Sequence, residues 1–524
     1  MTTAPPALVP DDAFNRRLIG HVHPPGWRNP KPADRYNLVV VGAGTAGLVT
    51  AAASAGLGAR VALVERHLMG GDCLNVGCVP SKGIIRAARA WAAARNGDEF
   101  GLRLPGGIEG DFSAVMARMR QIRADLAPID SVERFAGLGV DVFLGEARFT
   151  GPDRLAVGDA TLRFARAAIC TGARAAAPPI PGLAEAGCLT NETVFSLTEL
   201  PRRLGVIGAG PIGCELAQAF ARFGSEVTLL EIAPHILPRE DPDAAEVVQA
   251  QMMRDGVRFA GDAAIEAVEA VPAAGAAGDG VGAGGRERRI RYTQDGSPHE
   301  VTVDEILVGS GRTPNVEGLD LEAAGVAYDR AGVTVDRHLR TTNPRIYAAG
   351  DICFPFKFTH TADAMAQIVV QNALFPHPLG LGRASTEGLI IPWCTYTEPE
   401  IAHVGMYEAD ARTRGIAVET FTQPLADVDR AVLDGEEAGF ARVHVRKGTD
   451  RILGATIVAA DAGNLISEVT VAMKAGAGLG TIGAAIHPYP TQAEALRKAA
   501  TQLRKARFSA RQRSVLQRWF AWTR

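Results

Sequence analysis

The chain has 524 residues, of which 47% are hydrophobic and 22% are charged, and its formal net charge is −3. These values describe a globular protein long enough for three or four domains, and they give no reason to expect nucleic acid as a partner. The seven cysteines are scattered apart from one pair, which excludes a secreted disulfide framework. The N-terminus has no basic region followed by an apolar core, so we expect no export signal and a cytoplasmic location.

A dinucleotide-binding unit is predicted after a Pro-rich, aperiodic N-terminal stretch that we expect to lie on the surface as a strap. A buried strand from Leu38 to Val41 is followed by a loop with Gly42, Gly44 and Gly47, a helix, a second strand and Glu65. In such a unit the glycines allow a tight turn, the approach of a pyrophosphate and close packing of the helix, and the acid binds ribose hydroxyls.

Cys73 and Cys78 are the most informative pair of residues. They lie in the sequence Gly-Gly-Asp-Cys-Leu-Asn-Val-Gly-Cys-Val-Pro-Ser-Lys at residues 70–82, which predicts a redox-active disulfide beside a flavin. Five steps of regular helix would separate two Cα atoms by at least ~7.5 Å, beyond the ~4.4–6.8 Å that a disulfide accepts. We therefore expect a distorted turn at Gly77 and a helix that begins near Cys78, where the helix dipole favours a thiolate. The alternatives are two ordinary buried cysteines or a metal pair, for which this spacing is poor.

A second dinucleotide-binding unit is predicted by the same pattern. The strand from Leu204 to Ile207 leads into Gly208, Gly210 and Gly213, and a helix and a strand then lead to Glu231. In both copies the acid lies 23 residues after the first glycine, which implies two adenine dinucleotides in one chain. Because the cysteine pair is attached to the first copy and must contact the electron carrier that stays bound, FAD belongs in the first copy and the nicotinamide cofactor in the second.

The acid of the second copy favours NADH. A carboxylate at Glu231 pairs with free ribose hydroxyls and repels a 2′-phosphate. Arg239 and His235 are close in sequence and could reach such a phosphate, so NADPH stays possible.

These motifs resemble the pyridine nucleotide-disulfide oxidoreductases, the family of glutathione reductase, lipoamide dehydrogenase and mercuric reductase, from about residue 36 to about residue 500. The resemblance implies an α/β fold of the glutathione reductase type, with two Rossmann-like dinucleotide-binding domains and an α+β C-terminal dimerisation domain. The expected parts are an N-terminal extension (1–34), an FAD-binding domain with the redox disulfide (35–200), a nicotinamide-binding domain (201–308), a continuation of the FAD-binding domain (309–385), the dimerisation domain (386–498) and a basic tail (499–524).

The resemblance also implies site residues outside the two glycine loops. Lys82 and Glu215 match a lysine and a glutamate that pair beside the flavin ring. Gly311 matches a position near the nicotinamide nucleotide. Further contacts to FAD are implied at Ala147, Thr171, Gly172, Gly350 and Asp351, the last matching an aspartate that binds the ribityl chain.

The segment at residues 486–494, Ile-His-Pro-Tyr-Pro-Thr-Gln-Ala-Glu, bears on the substrate. Members of the family are homodimers in which this segment completes the active site of the partner subunit. Its disulfide reductases place a histidine five residues before the glutamate, whereas here Tyr489 stands five residues before Glu494. Mercuric reductase has tyrosine at the matching place, and a phenol with a pKa of about 10 is a poor proton shuttle. A disulfide reductase remains the alternative, because a register shift of two residues would place His487 at the position of the base.

Two features of mercuric reductase are not expected. No cysteine precedes Cys73, so we expect no N-terminal metal-binding module, and the last cysteine is Cys394, so we expect no vicinal pair near the C-terminus. We also predict no resident metal site. These absences argue against mercury as the physiological substrate and leave the expected flavin, nicotinamide and disulfide chemistry untouched.

Two further segments lack a family explanation. Residues 270–285 are rich in Ala and Gly, and we predict a long hairpin loop. Residues 495–524 carry nine Lys or Arg and no Asp or Glu, with large apolar residues at roughly helical spacing. We predict an amphipathic helix that docks on the dimer, with contact to an anionic membrane as the alternative. The apolar residues are Leu496, Leu503, Val515, Leu516, Trp519 and Phe520.

The motifs together predict an FAD-dependent oxidoreductase. Electrons should pass from NADH to FAD and through Cys78 to its disulfide with Cys73, where Cys78 should form the charge-transfer thiolate and Cys73 the exchanging thiol. The expected acceptor is mercuric ion or another thiophilic metal ion. The alternatives are a small or protein disulfide, as in a dihydrolipoyl dehydrogenase, and a slow flavoprotein redox sensor.

Overall fold

The computed structural model describes residues 6–103, 106–107, 109–272 and 286–524. They form two compact units. The first unit contains the residues up to 232 together with residues 263–389, and the second contains residues 233–262 and 390–524.

The α-helices of the described residues are α1 (Ala13–Val22), α2 (Thr45–Gly56), α3 (Gly71–Asn75), α4 (Cys78–Arg95), α5 (Phe112–Leu126), α6 (Val132–Gly137), α7 (Leu183–Ala186), α8 (Pro211–Phe223), α9 (Pro242–Arg254), α10 (Thr359–Leu374), α11 (Glu408–Thr413), α12 (Asp429–Asp434), α13 (Ala462–Lys474), α14 (Leu479–Ala484), α15 (Glu494–Arg507) and α16 (Ala510–Trp522). The strands are β1 (Tyr36–Val41), β2 (Val61–Glu65), β3 (Val140–Leu144), β4 (Ala147–Gly151), β5 (Arg154–Val157), β6 (Ala160–Ile169), β7 (Ala173–Ala175), β8 (Arg203–Ile207), β9 (Glu226–Leu230), β10 (Val257–Ala260), β11 (Ala264–Pro272), β12 (Arg286–Gln294), β13 (Ser297–Val303), β14 (Glu305–Val308), β15 (Arg312–Pro314), β16 (Tyr328–Asp329), β17 (Gly332–Val333), β18 (Ile346–Ala348), β19 (Pro392–Thr395), β20 (Glu400–Gly405), β21 (Val418–Pro424), β22 (Phe440–Arg446) and β23 (Ile452–Ala459).

The first unit is built on a parallel sheet that is buried on both faces. Strand β1 pairs with β2 and β6, β2 pairs with β3, and β6 pairs with β18, all in parallel. Leu38 and Val40 of β1 belong to one hydrophobic core and Val39 and Val41 to another, because successive side chains of a strand point to opposite faces. The carboxyl end of β1 is followed by the first glycine loop and helix α2, as the sequence predicts.

The second dinucleotide-binding pattern also folds as expected. Strand β8 lies between β9 and β14, and both pairs are parallel. Helix α8 begins directly after the second glycine loop, at the carboxyl end of β8. Beside this sheet, β11, β12 and β13 form an antiparallel sheet. The two Rossmann-like units are therefore β1-α2-β2 and β8-α8-β9.

The second unit contains a five-stranded antiparallel sheet, in the order β19-β20-β23-β22-β21. Helices α13, α14 and α15 contribute to its hydrophobic core, with Ile466, Leu479 and Leu496 almost fully buried. Strand β23 is buried along its whole length, and α13 follows it directly in the chain.

The N-terminal stretch differs from the expected aperiodic strap, because it contains helix α1. The side chain of Asp12 caps this helix by accepting a hydrogen bond from the amide of Asn15 at 2.8 Å. Leu18 and Val22, four residues apart, are fully buried in the hydrophobic core, where α1 packs against α5 and α6. Pro-rich flanks hid this short helix from sequence analysis.

Residues 270–272 belong to β11 rather than to the predicted loop, and the rest of that loop, residues 273–285, lies outside the described residues. The basic tail is not one amphipathic helix, because it divides at Phe508 into α15 and α16. Leu496 and Leu503 of α15 are buried in the core, whereas the large apolar side chains of α16 are exposed. Within the described ranges, no helix has both the length and the apolar character needed to cross a bilayer.

Candidate functional site

The two glycine loops have nearly the same geometry. Gly42 and Gly208 have φ angles of +101° and +96°, in the region that favours glycine. A Cβ on Gly47 would lie 1.8 Å from the carbonyl oxygen of Gly42, and one on Gly213 would lie 1.9 Å from that of Gly208. The first and third glycines are thus required by the turn and by the contact of the helix with the loop. The middle glycines, Gly44 and Gly210, are the N-caps of α2 and α8.

The two acids also occupy equivalent positions. A carboxylate oxygen of Glu65 accepts a hydrogen bond from the amide of Ala43 at 2.7 Å, and one of Glu231 accepts from the amide of Ala209 at 2.6 Å. Burial raises the pKa of Glu65. Each carboxylate therefore lies against its glycine loop, where its remaining acceptor positions can bind the hydroxyls of a ribose.

The residues predicted to contact FAD surround the start of α2. A Cβ on Gly42 would lie 2.4 Å from the carbonyl oxygen of Cys170, the neighbour of Thr171 and Gly172, and one on Gly350 would lie 3.4 Å from the Cβ of Ala46. Asp351 follows Gly350 directly.

The close backbone contacts make a cradle that side chains would fill. A Cβ on Gly71 would lie 2.6 Å from the Cα of Gly44. An adenine dinucleotide needs backbone donors and an acid that accepts from its ribose. The N-terminus of α2 offers bare backbone, and the half-buried Glu65 at the end of β2 offers the acid. Ala147 is half-buried at the start of β4, and the amide of the preceding Gly145 donates to the carbonyl oxygen of Glu65 at 2.8 Å. The described residues of the first copy fit FAD.

Cys73 and Cys78 occupy two different helices. Cys73 lies in the short helix α3, and Cys78 is the first residue of α4. Gly77 between them allows the close return of the chain, because a Cβ there would lie 2.8 Å from the carbonyl oxygen of Asp72. Both cysteines are unbridged in this structure, with Cys78 exposed and Cys73 half-buried. The interruption of helix that the sequence predicts is thus present at Gly77.

The environment of Cys78 stabilises a thiolate. A hydrogen bond from Cys73 is the largest effect, and with Thr359 and the ammonium of Lys82 it lowers the pKa of Cys78 to about 6, against the opposing effect of burial. The Sγ atom lies 3.3 Å from the Oγ1 atom of Thr359, the first residue of α10. Two helix N-termini therefore meet at this sulfur. The same hydrogen bond, together with burial, raises the pKa of Cys73.

Lys82 and Glu215 form the ion pair that the family pattern implies. The Nζ atom of Lys82, on α4, lies 2.8 Å from the Oε2 atom of Glu215, on α8. The Glu215 side chain is only 6% exposed, whereas that of Lys82 is 37% exposed. Trp91 and Phe223 pack edge to face between the same two helices, with ring centroids 5.0 Å apart. The ammonium is thus held one turn away from the thiolate that it favours.

Arg312, Asp72 and Thr359 were missed by sequence analysis. The guanidinium of Arg312 pairs with Asp72 in the redox segment, and its Nε atom lies 3.3 Å from the Oδ2 atom of Asp351. It also donates to the carbonyl oxygen of Ala173 at 2.7 Å. Burial raises the pKa of Asp351. Arg312 is the single cation in Gly-Ser-Gly-Arg-Thr-Pro-Asn, and this was a sequence signal for it, although only Gly311 was selected from that motif. Thr359 has no local sequence signal.

In the C-terminal segment at residues 486–494, each of the three candidate residues has a different partner. Tyr489 is 70% exposed and its hydroxyl donates to the Oδ2 atom of Asp429 at 2.9 Å. This hydrogen bond raises the pKa of Tyr489. The Nε2 atom of His487 lies 3.0 Å from the Oε1 atom of Glu468, in the same unit. Glu494 is buried and pairs with Arg497, so neither candidate residue is paired with it.

Known proteins match this chain along most of its length. The family described as pyridine nucleotide-disulphide oxidoreductase matches residues 36–367, and its dimerisation domain matches residues 391–500. A mercuric reductase from Staphylococcus aureus is 33% identical over 472 residues, covering 89% of this chain and 82% of that protein. A dihydrolipoyl dehydrogenase from Thermus scotoductus is 33% identical over 484 residues, covering 90% and 98%.

Solved structures agree with the sequence comparisons. The HOCl-induced flavoprotein disulfide reductase RclA from Escherichia coli has a TM-score of 0.76 at 30% identity, covering 88% of this chain and 99% of that one. A Cu(II) complex of RclA has a TM-score of 0.76 at 29% identity, covering 90% and 100%. The chain therefore belongs to the pyridine nucleotide-disulfide oxidoreductases. It is an FAD-dependent enzyme that uses NAD(P)H, has the glutathione reductase-like fold and carries the family's dimerisation domain.

Replacing Thr359 with alanine should raise the pKa of Cys78. The wild-type thiolate is present above a pH of about 6 and is lost as the pH falls through that value. Loss of one hydrogen bond to a thiolate should move this midpoint upward by about one pH unit. The measurement is a pH titration of the charge-transfer absorbance that we expect between the Cys78 thiolate and bound FAD in the reduced enzyme. Thr359→Ser, which keeps the hydroxyl, should retain the wild-type midpoint, and an unchanged midpoint in Thr359→Ala would show that the hydroxyl does not act on the thiolate.

Proposed function

We propose that this enzyme transfers electrons from NADH through FAD and the Cys73–Cys78 pair to a thiophilic metal ion, with mercuric ion as the leading candidate. The observation that carries the choice of acceptor is the exposed Tyr489 at the position where the family's disulfide reductases have a histidine. Relatives named mercuric reductase and the Cu(II) complex of RclA support a metal acceptor.

We assign the cofactors to the two glycine loops. Residues 35–200 and 309–385 would hold FAD, with Glu65 on the adenosine ribose and Asp351 on the ribityl chain. Residues 201–308 would hold the nicotinamide cofactor, with Glu231 favouring NADH and Gly311 close to the nucleotide. When bound, FAD accepts a hydride from NADH and supplies two electrons to the disulfide.

The cysteine pair stores the two electrons. The bond between the sulfurs of Cys73 and Cys78 breaks, one proton is taken up, and the products are a thiolate at Cys78 and a thiol at Cys73. The pKa values support this division, since that of Cys78 is lowered to about 6 and that of Cys73 is raised. Thr359 and Lys82 hold the thiolate in place for the next step. Cys73 is the thiol that meets the acceptor.

The two classes of acceptor differ in their demand for protons. A divalent metal ion bound by the two sulfurs takes up two electrons while the disulfide forms again and the proton of Cys73 leaves. A disulfide acceptor needs two protons for the two thiols that it becomes, and it therefore needs an acid and base near neutral pH. Tyr489, whose pKa is raised by the hydrogen bond to Asp429, cannot serve as that base. A phenol at this position is compatible with metal reduction and unsuited to disulfide exchange.

A disulfide reductase is the second candidate, because His487 has a carboxylate partner. A carboxylate beside an imidazole orients the ring, as in enzymes that shuttle protons. The contact between His487 and Glu468 at 3.0 Å has this arrangement. The relatives named dihydrolipoyl dehydrogenase agree with this candidate.

We also propose that the active form is a homodimer in which the 486–494 segment of one subunit faces the cysteine pair of the other. Large apolar side chains are exposed in and near this segment of the second unit, with Ile486 fully exposed and Val471 67% exposed. Exposed apolar side chains that cluster in this way are typical of an interface. Tyr489 of the partner subunit would then lie beside the acceptor.

The test is NADH oxidation by the purified dimer with separate acceptors: mercuric ion as a thiol complex, lipoamide and glutathione disulfide. Turnover with mercuric ion is expected, and Tyr489→Phe should lower it by about 10-fold. His487→Gln should change it by less than about two-fold, because metal reduction needs no general base. Tyr328→Phe is the matched control, since Tyr328 is another exposed tyrosine whose hydroxyl donates to a carboxylate, that of Glu322.

The opposite pattern would replace the proposal with its alternative. Turnover with a disulfide alone, lost in His487→Gln and kept in Tyr489→Phe, would identify a disulfide reductase. Reduction of the flavin by NADH without turnover of any acceptor would identify a redox sensor.

A further inference from the structure

Helix α16 has a capped N-terminus and contributes no side chain to the core. Its N-terminus has a capping box, in which the Oγ atom of Ser509 accepts from the amide of Gln512 at 3.2 Å and the side chain of Gln512 accepts from the amide of Ser509 at 2.8 Å. None of its thirteen residues is buried. By contrast, Leu496 and Leu503 of α15 are almost completely buried. The helix is thus folded locally and held away from the core.

One face of α16 is apolar and aromatic. Val515, Trp519 and Trp522 follow the i, i+4, i+7 spacing of a helix stripe, and Leu516 and Phe520 form a second row beside them. All five are exposed, up to 77% for Trp522. This exposed face carries two tryptophans, a phenylalanine and two aliphatic residues side by side. Such a contiguous apolar patch differs from single scattered surface residues and marks an interaction site.

The borders of this face are basic. At 100° per residue, Arg511 and Arg518 lie along one edge of the apolar face and Arg513 lies along the other, and Arg524 follows the helix. Nine of the chain's 55 Lys and Arg lie after residue 494, and none of its 58 Asp and Glu does. The rest of the chain is consequently acidic. The partner of α16 must combine an apolar interior with negative charge on both sides of the helix.

An anionic lipid surface has this combination. Tryptophan is favoured at the level of the headgroups, and arginines at the edges of an apolar face can extend their guanidinium groups to the phosphates while their stems lie on the apolar side chains. A second copy of α16 is a poor occupant, because pairing would bring arginines together without any acid to compensate them. A helix of thirteen residues is about 20 Å long, too short to cross a bilayer but long enough to lie along its surface.

We infer that α16 lies in the interface of an anionic phospholipid membrane, with Trp519 and Trp522 at the boundary between headgroups and acyl chains and Arg511, Arg513 and Arg518 at the phosphates. The enzyme would work at a membrane surface, with its acidic body repelled by the same lipids that attract the helix. This inference does not depend on the identity of the electron acceptor.

The experiment is flotation of the full-length holoenzyme with vesicles of phosphatidylcholine, with and without phosphatidylglycerol. Binding is expected with the anionic vesicles, and at least about 10-fold weaker with phosphatidylcholine alone or at high salt. Trp519→Ser with Trp522→Ser should abolish binding to both kinds of vesicle. Arg511→Gln, Arg513→Gln and Arg518→Gln together should abolish the preference for phosphatidylglycerol.

Matched variants separate the helix from net charge and from folding. Arg163→Gln, Arg258→Gln and Arg330→Gln remove the same charge from exposed positions elsewhere, and this protein should bind as the wild type does. All variants should reduce FAD with NADH at the wild-type rate. Failure of the wild-type holoenzyme to float with anionic vesicles would overturn the inference. A change of oligomeric state in the tryptophan variant without any vesicle binding would overturn it in favour of a protein interface.

Discussion

Replacing Cys73 with serine should abolish reduction of any acceptor while FAD is still reduced by NADH. The serine hydroxyl cannot form a disulfide with Cys78 or deliver electrons to an acceptor, so turnover should fall by at least about 1,000-fold. The glycine loops and the ion pair of Lys82 with Glu215 are untouched by the change, so the rate of flavin reduction should stay within about two-fold of the wild-type value. Stopped-flow absorbance of the flavin and steady-state NADH oxidation measure the two steps separately.

Cys188→Ser is the matched control for this experiment, because Cys188 is another half-buried, unbridged cysteine outside the predicted site. It should leave both steps unchanged. Full turnover in Cys73→Ser would contradict the role of the cysteine pair, and electrons would then have to pass from FAD to the acceptor directly. Loss of flavin reduction in the same variant would instead show that the serine disturbs the first glycine loop.

Exchange of Glu231 for glutamine should weaken the preference of the enzyme for NADH over NADPH. In the wild type a 2′-phosphate would lie against the carboxylate, and such a like-charge contact should lower kcat/KM for NADPH by about 100-fold or more relative to NADH. Glutamine keeps an oxygen that can accept from the amide of Ala209, so the loop should hold its shape. The ratio of the two kcat/KM values should fall by about 10-fold.

Glu226 provides the control, since it is an exposed acid at the opposite end of the same strand, β9. Glu226→Gln should leave the ratio unchanged. A wild-type enzyme that prefers NADPH would contradict the assignment and would indicate that Arg239 or His235 reaches the phosphate.

Features with a local sequence pattern were predictable, and those made by distant residues were not. The glycine loops, their acids and the helix start at Cys78 follow from residues close together in the chain. The contact of Thr359 with Cys78 joins residues 281 apart, and that of Arg312 with Asp72 joins residues 240 apart. No spacing rule reports such pairs, because they depend on how the fold brings β15, which begins at Arg312, and α10, which begins at Thr359, to the segment that holds Asp72 and Cys78.

The errors at the two ends of the chain have different causes. In the N-terminal stretch, Asp12 as a cap and Leu18 and Val22 as an apolar pair are a weak signal among prolines, and burial against the core decides that α1 forms. In the tail, the helical spacing of apolar residues continued across Phe508. The structure shows that the core accepts only the first half of the pattern, and spacing alone does not tell a buried stripe from an exposed one.

The ion pair between α4 and α8 limits how freely the two halves of the enzyme can be exchanged in evolution or in design. Glu215 comes two residues after the third glycine of the second loop, and Lys82 comes four residues after Cys78. A chimera that takes its second glycine loop and helix from another protein without a matching acid would leave the ammonium of Lys82 unpaired. An acid supplied without the lysine would be left charged in a buried position, which is strongly unfavourable. The two nucleotide-binding copies look like interchangeable modules in the sequence, but they have to be inherited together.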